Sequence, residues 1–445
     1  MIPAGRSPLD ETVSQSLDIE QAGGEIHDRI RRLYPICRSI TGNGVRETLR
    51  IIAGEIPIDI REVPSGTAAF DWHIPREWNI RDAYIKNSAG ERVVDFNASN
   101  LHVVSYSVPV RSRMSLAQLQ PHLFSIPDHP DWIPYKTSYY RETWGFCLSE
   151  RQRSALRDEL YEVCIDSTLE NGHLTYGECC LPGTETGEVL FSTHVCHPSL
   201  CNDNLSGVSL AVSLAKRLQS RKRRYTYRFL FVPGTIGAIA WLSLNEKRAT
   251  AVKHGLVLAC IGDRGRLSYK QSRQGIAEID RVVQHVLTQS DPGGRVEEFS
   301  PYGYDERQYC SPGFNLPVGV LSRTPHGQFA EYHTSADNLD LVDAASLADS
   351  LETCLSIVEV LEANGTFLNT SPKCEPQLGK RGLYAAMGGH SADNRRQEAA
   401  LLWILNQSDG TQSLLDIAGK SGLPFAVIRA AATALLDNGL LRPSV

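Results

Sequence analysis

The stretch LFSTHVCHPSLCNDNLSGV, residues 190–208, decides how the rest of the chain reads. An apolar run closes a strand begun at Glu188-Val189, Pro198 stops its continuation, and two histidines and an Asp set between asparagines follow. Leu205, Val208, Leu210, Ala211 and Leu214 then recur at helical spacing, which puts Asp203 near a helix N-terminus. Imidazole nitrogen and carboxylate oxygen gathered at the C-terminal end of a strand suit a metal ion such as zinc. The same residues also serve ordinary loop chemistry, the histidines satisfying hydrogen bonds and Asn202 and Asp203 making turns.

Outward from this stretch the pattern repeats. VLFST, RFLFVP, LVLACIGD and VGVLSR are apolar or β-branched runs, each leading into a Gly, Pro, Asp or His turn, with helical patterns between several of them. Apolar strands covered on both faces predict an α/β fold, helices on both faces of a mixed sheet, with ligands gathering outside the strand C-termini. His197 and Asp203 follow the first strand, Pro233-Gly234-Thr235 the second, Asp263 the third, and His326 and His333 the fourth.

The α/β domain is expected over residues 23–60 and 151–365, interrupted at 61–150 by short β-type segments rich in aromatics and prolines that read as a small inserted β-rich domain. Residues 1–22 are polar and read as a loose arm; 24–53 read as two helices around Thr41-Gly42-Asn43-Gly44. A long amphipathic helix is predicted over 341–364, a Gly-, Pro- and Asn-rich linker over 366–394, and a three-helix winged-helix domain over 395–445.

Composition narrows the class. At 445 residues and 42% hydrophobic content the chain can build two or three cores. A net charge of −6 lacks the basic footprint of a general nucleic-acid binder, and residues 409–445 hold three basic and three acidic side chains, so the terminal helices are expected to pack or dimerise rather than read DNA. RKRR at 221–224 reads as a solvated helix end. No stretch approaches the roughly 20 apolar residues needed to span a bilayer, and no signal-type run opens the chain. Eleven cysteines without a disulfide framework or paired CxxC knuckles fit a reducing cytoplasm, each most simply a small buried hydrophobe, with those beside the histidines also open as metal ligands.

Four motifs in order, HVCHPSLCNDNLSG, PGTIG, CIGDRGRLSYKQSR and EYHTSADN, resemble the zinc aminopeptidase family with a phosphorylase/hydrolase-like α/β fold, and within it the aminopeptidase-like branch with an inserted β domain and a C-terminal winged helix. The resemblance covers nearly all of residues 25–445. It implies that His197, the bridging Asp203, Asp263 and His333 are zinc ligands, with His194 an alternative to His197. One position departs: where the family has a Glu-Glu pair, a general base followed by a zinc ligand, this chain has Gly234 and Thr235. One zinc ion rather than two is therefore expected, and turnover without that base is placed in question.

Other polar residues are candidates for what is missing. Glu306 is the catalytic candidate. Tyr269, Lys270 and Arg273 follow Asp263, and YGYDERQYCSPG at 302–313 concentrates Asp305, Glu306 and Arg307, with Arg307 suited to a carboxylate and Asp305 or Glu306 to an ammonium, or the loop simply pairs its own charges. His326 reads as a pocket wall or a turn residue. The leading expectation is a zinc-dependent enzyme acting on an amide bond of a small amino-acid or peptide-like substrate, by hydrolysis or by transfer or condensation, in a homo-oligomer. The alternative is a catalytically silent ligand-binding or scaffold protein with a winged-helix interaction domain.

Overall fold

The computed structural model describes residues 19–291, 293–384 and 392–444. The proposed N-terminal arm lies outside these up to residue 18, and Ile19–Leu33 is already helix. The predicted linker lies partly outside them, at 385–391.

Eight strands form the main sheet: β1 Ile58–Pro64, β2 His173–Leu181, β3 Glu188–His194, β4 Thr226–Val232, β5 Val252–Leu258, β6 Ser268–Lys270, β7 Arg295–Glu297 and β8 Val318–Ser322. Their spatial order is β1-β2-β4-β3-β5-β8-β6-β7. The central four, β4-β3-β5-β8, run parallel, β1 and β2 join antiparallel to their neighbours, and β6 is antiparallel to β8 and parallel to β7. Every residue of β3 is buried, the mark of a strand covered on both faces. Leu190, Leu230 and Val257 pack in one cluster with Ile236 and Trp241 of the helix Ile236–Leu244. The alternate residue Phe191 stacks on Phe229 at 5.2 Å, and the helix Gly207–Gln219, nearly all buried, covers that strand pair as well.

A buried guanidinium ties three strands together. Arg228 donates from Nε and Nη2 to the two Glu188 oxygens, each at 2.7 Å, and from Nη1 to Glu178. Breaking such a buried network leaves an uncompensated charge, which costs about 3–5 kcal/mol.

The inserted region builds an antiparallel sheet of Arg92–Asp95, Glu77–Lys86, Leu160–Glu170 and Val110–Ser115. Leu160–Glu170 belongs to it, so the insertion runs about twenty residues past the expected limit at 150. That strand pairs along Glu77–Lys86 for most of its length, and its alternate residues Tyr161, Val163 and Ile165 fill the insertion's own core. Trp78 instead packs into the cluster of the main sheet, its indole N–H donating to the Ser107 carbonyl at 2.9 Å, whereas Trp72 stays half exposed.

The chain divides into two compact units, one of residues 19–281 and Gly293–Glu352, the other of 282–291 and 353–444. In the second, Asp409–Ser413, Thr366–Asn369 and Leu441–Pro443 form a three-stranded sheet with the helices Ala392–Gln407, Leu414–Ser421 and Phe425–Asp437. Thr366–Asn369, expected in a linker, is thus the central strand of the winged helix, pairing on both sides. Ser413 and Asp416 form a reciprocal N-cap and Gly422, at φ 68°, ends the same helix in the left-handed conformation only glycine adopts freely. All eleven cysteines are free thiols. Among the described residues no helix is long and apolar enough to cross a membrane.

Candidate metal centre

The parallel strands deliver their C-terminal ends to one edge of the sheet, and the first of them carries the site. β3 stops at His194, the chain turns through Cys196-His197-Pro198, and an irregular, fully buried turn over Cys201–Ser206 brings Asp203 back beneath both rings before the helix Gly207–Gln219 starts. Three imidazoles converge on the Asp203 carboxylate: His194 Nε2 lies 2.8 Å from Oδ1, His197 Nδ1 3.2 Å and His333 Nε2 3.0 Å from Oδ2. His194, His197 and Asp203 each bring a donor atom within 4.8 Å of the others, and His333 joins through Asp203.

The fit to a metal can be tested on the atoms themselves. Asp203 Oδ2 and His333 Nε2 are both buried and neither makes a hydrogen bond, although they stand 3.0 Å apart. Two polar atoms so close without hydrogen-bond alignment point at a shared third body. Ligand atoms about 2.0–2.1 Å from a tetrahedral ion stand roughly 3.4 Å from one another, close to the separations here. A donor set of imidazoles and one carboxylate at this spacing fits a divalent transition ion. Burial pushes the Asp203 carboxyl up, but the imidazoles of His197, His194 and His333 outweigh it and hold the group well below the ordinary carboxylate range.

A second layer fixes the turn. Asp337, fully buried, accepts from Asn202 N at 2.6 Å and Asp203 N at 2.9 Å, which locks the backbone carrying the ligand. Burial raises its carboxyl to about 7 against those two donors. Asn204 donates from Nδ2 to the Leu258 carbonyl at 3.0 Å and to Thr193 Oγ1 at 2.8 Å and accepts from Cys260 N at 3.1 Å, clamping the turn between strands β3 and β5. Sequence reasoning missed Asp337 although it sits in the quoted EYHTSADN; an Asp four residues after a ligand His was its only signal.

The insertion closes the site from above. Pro134 bridges to Thr334, Tyr135 N donates to the His333 carbonyl at 2.7 Å, and Ile133 N donates to Ser335 Oγ at 2.9 Å. The Tyr135 ring packs edge-on against His197 and His333, with centroids at 5.2 and 5.1 Å. This strap seats His333 at φ 57°, in the left-handed region that residues other than glycine adopt uncommonly.

The other sequence candidates separate. Asp263, expected as a ligand, accepts instead from Gly265 N and Thr324 Oγ1 on one oxygen and from Asn202 Nδ2 and Thr324 N on the other, so its lone pairs are taken by the loops. Tyr269, expected at the substrate, is fully buried and donates to Asp280 Oδ1 at 2.7 Å; it is a core residue. Arg273 points to the surface, where it holds Asn315. Lys270 is paired with Glu306 Oε1 and donates to the Tyr302 carbonyl at 2.9 Å. Asp305 and Glu306 are buried beside the half-buried Arg307. His326 forms a half-buried aromatic group with Tyr304, Tyr302 and Tyr332, and Tyr304 in turn stacks on His194 at 5.3 Å. The Cys196 thiol is pushed up to about 12 by burial and Cys260 well above its usual value, so neither is a ready thiolate ligand.

The model of a family described as a domain of unknown function, DUF4910, matches residues 27–364, about three quarters of the sequence. The chain belongs to the DUF4910 family. A winged helix-turn-helix model matches residues 365–443, where the three-stranded sheet begins. A Clostridium acetobutylicum protein provisionally named a polysaccharide biosynthesis protein with aminopeptidase-like domain is 54% identical to this DUF4910 chain over 422 residues, covering 95% of this chain and 97% of that one. A crystal structure of a C. acetobutylicum protein provisionally named a peptidase superposes with TM-score 0.92 at 52% identity, over 96% and 97% of the two chains. A zinc aminopeptidase from Bacillus subtilis superposes with TM-score 0.55 at 11% identity, over 76% of the DUF4910 chain and 95% of its own. The DUF4910 chain therefore has the aminopeptidase-like α/β fold, followed by a winged helix.

Proposed function

We propose that this protein is a zinc-dependent enzyme that acts on an amide bond of a small amino-acid or peptide-like substrate, with one bound ion. The observation that carries the reading is the convergence of His194, His197 and His333 on one buried Asp203 whose Oδ2 has no hydrogen bond. A zinc ion held there would polarise a carbonyl or lower the pKa of a bound water. Asp337 and Asn204 keep the ligand turn fixed, Tyr135 and Tyr304 exclude water from two sides of the imidazoles, and the half-buried His326 and Tyr332 line the approach past His333. One ion is favoured because Gly234 and Thr235 offer no carboxylate and Asp263 is engaged elsewhere.

The name of the C. acetobutylicum relative adds amide-bearing amino sugars to the substrates worth assaying. The experiment is a panel of aminoacyl-p-nitroanilides, dipeptides and N-acetylhexosamines, assayed for cleavage and for amide formation with zinc-loaded protein and with Asp203→Ala. Zinc-dependent turnover absent from the variant supports the enzyme; two tightly held stoichiometric zinc ions contradict the single-ion site. The second reading, a silent binding protein that uses the same pocket, is favoured by Gly234 alone and is ruled out by any such turnover.

A further inference from the structure

The loop 302–313 holds a carboxylate without a partner. Asp305 is 1% exposed, and neither of its oxygens has a hydrogen bond. Its neighbour Glu306, the carboxylate that the sequence singles out, is committed through Oε1 to Lys270, and Gly303 lets the backbone pass close over that pair, where a Cβ would meet Glu306 Oε1 at 2.3 Å. Asp305 is left free, and its direction is informative. A Cβ placed on Gly234 would lie 3.6 and 3.7 Å from the two Asp305 oxygens and 3.2 Å from His194 Cβ. The Asp305 carboxyl thus lies just beyond the missing side chain of residue 234, a position that also neighbours His194. Cys196, whose thiol faces the Gly234 carbonyl at 3.8 Å, and Tyr309, bonded to Ser192 at 2.9 Å, feel the Asp305 charge and complete its surroundings.

An unpaired carboxyl at such depth is costly, and a fold retains one at a site for chemistry more readily than for stability. Resting on the amide-bond reading above, we infer that Asp305 is the proton acceptor of this site, reaching from the 302–313 loop to supply the carboxylate that Gly234 lacks. As the bond from the attacking water or amine to the carbonyl carbon forms, one of its protons passes to an Asp305 oxygen. As the C–N bond breaks, that proton passes to the leaving nitrogen, so Asp305 ends the cycle ionised as it began. Burial, with Glu306 adding to it and Arg307 opposing, raises the Asp305 carboxyl to about 8, in the range where a general base works best near neutral pH.

The test uses the full-length zinc-loaded chain and the panel substrate it turns over fastest. Asp305→Asn is expected to lower kcat by about 10²-fold or more with KM and zinc content near those of the unaltered chain. Adding Gly234→Glu to that variant is expected to restore about tenfold or more of the loss, a rescue no structural role of Asp305 would give. Infrared difference spectra of the substrate-free protein between about pH 6 and pH 9.5 give a readout apart from activity: the buried Asp337 titrates in this window in both proteins, and a second protonated-carboxyl band lost from the unaltered chain is missing from Asp305→Asn. Turnover within about threefold of the unaltered chain, loss of zinc on substitution, or the same titrating carboxyl bands in both proteins overturns the assignment. An unaltered chain inactive on the whole panel fails the enzyme reading first, and an active chain indifferent to Asp305→Asn fails this inference alone.

Discussion

The proposed metal centre turns on one oxygen atom. Asp203 Oδ2 faces His197 and His333 and makes no hydrogen bond, so Asp203→Asn, which replaces an anionic donor with a neutral amide, is expected to lower zinc affinity by at least about tenfold; titration against a chelator with known affinity measures it. Asp337→Ala acts one step back, leaving Asn202 N and Asp203 N buried without acceptors, which costs on the order of 2–6 kcal/mol and is read from denaturant midpoints. Asp305 gives a pH-dependent signature. Its folded value is near 8 and its unfolded value near 3.8, so the unfolded chain releases the proton first and native stability falls as pH rises between the two. Asp305→Asn should match the unaltered chain below about pH 4 and melt at increasingly higher relative temperature up to about pH 8, followed by calorimetry at several pH values. At this scale the sequence offered His197, Asp203, Asp263 and His333, with His194 as an alternative, and favoured the trio His197, Asp203 and Asp263; the structure gathers His194, His197 and His333 around Asp203. The sequence misassigned Asp263 because order along the strands says which loop a carboxylate belongs to but not which way it points, and Asn202 and Thr324 turn this one away.

Among the elements, the strap 133–135 and the turn at residues 41–44 carry the most exposed dependencies. Tyr135→Ala removes a buried ring that both imidazoles rest on; the expected loss is about 3–5 kcal/mol of stability, with weaker zinc binding, measured by denaturation with and without zinc. Gly42 holds φ 96° with a would-be Cβ 2.1 Å from the Trp78 carbonyl, so Gly42→Ala is expected to destabilise by more than about 1 kcal/mol. The α/β alternation and the winged helix were legible because buried parallel strands read as continuous apolar runs and helices as 3.6-residue repeats. Leu160–Glu170 and Thr366–Asn369 were not, since a strand's pattern tells that it pairs but not with which sheet; the first lies in the insertion and the second in the winged helix.

For the molecule as a whole, the C-terminal unit has the winged-helix architecture, and residues 409–445 within it hold three basic and three acidic side chains. With that even balance over 409–445, binding to genomic fragments is expected to stay in the non-specific range of about 10⁻⁴–10⁻⁶ M at physiological salt, as fluorescence anisotropy would show. The contact between the insertion and the His333 loop carries a consequence in time. Ile133 and Ser335 lie 202 residues apart in sequence, yet the loop that presents the third imidazole is seated only where they meet. On a ribosome adding about 5–20 residues per second, the strap waits roughly 10–40 s for its counterpart to be synthesised. Until then, the nascent chain carries His194, His197 and Asp203 without His333, so the proposed ion site is complete only after about three quarters of the polypeptide has been made.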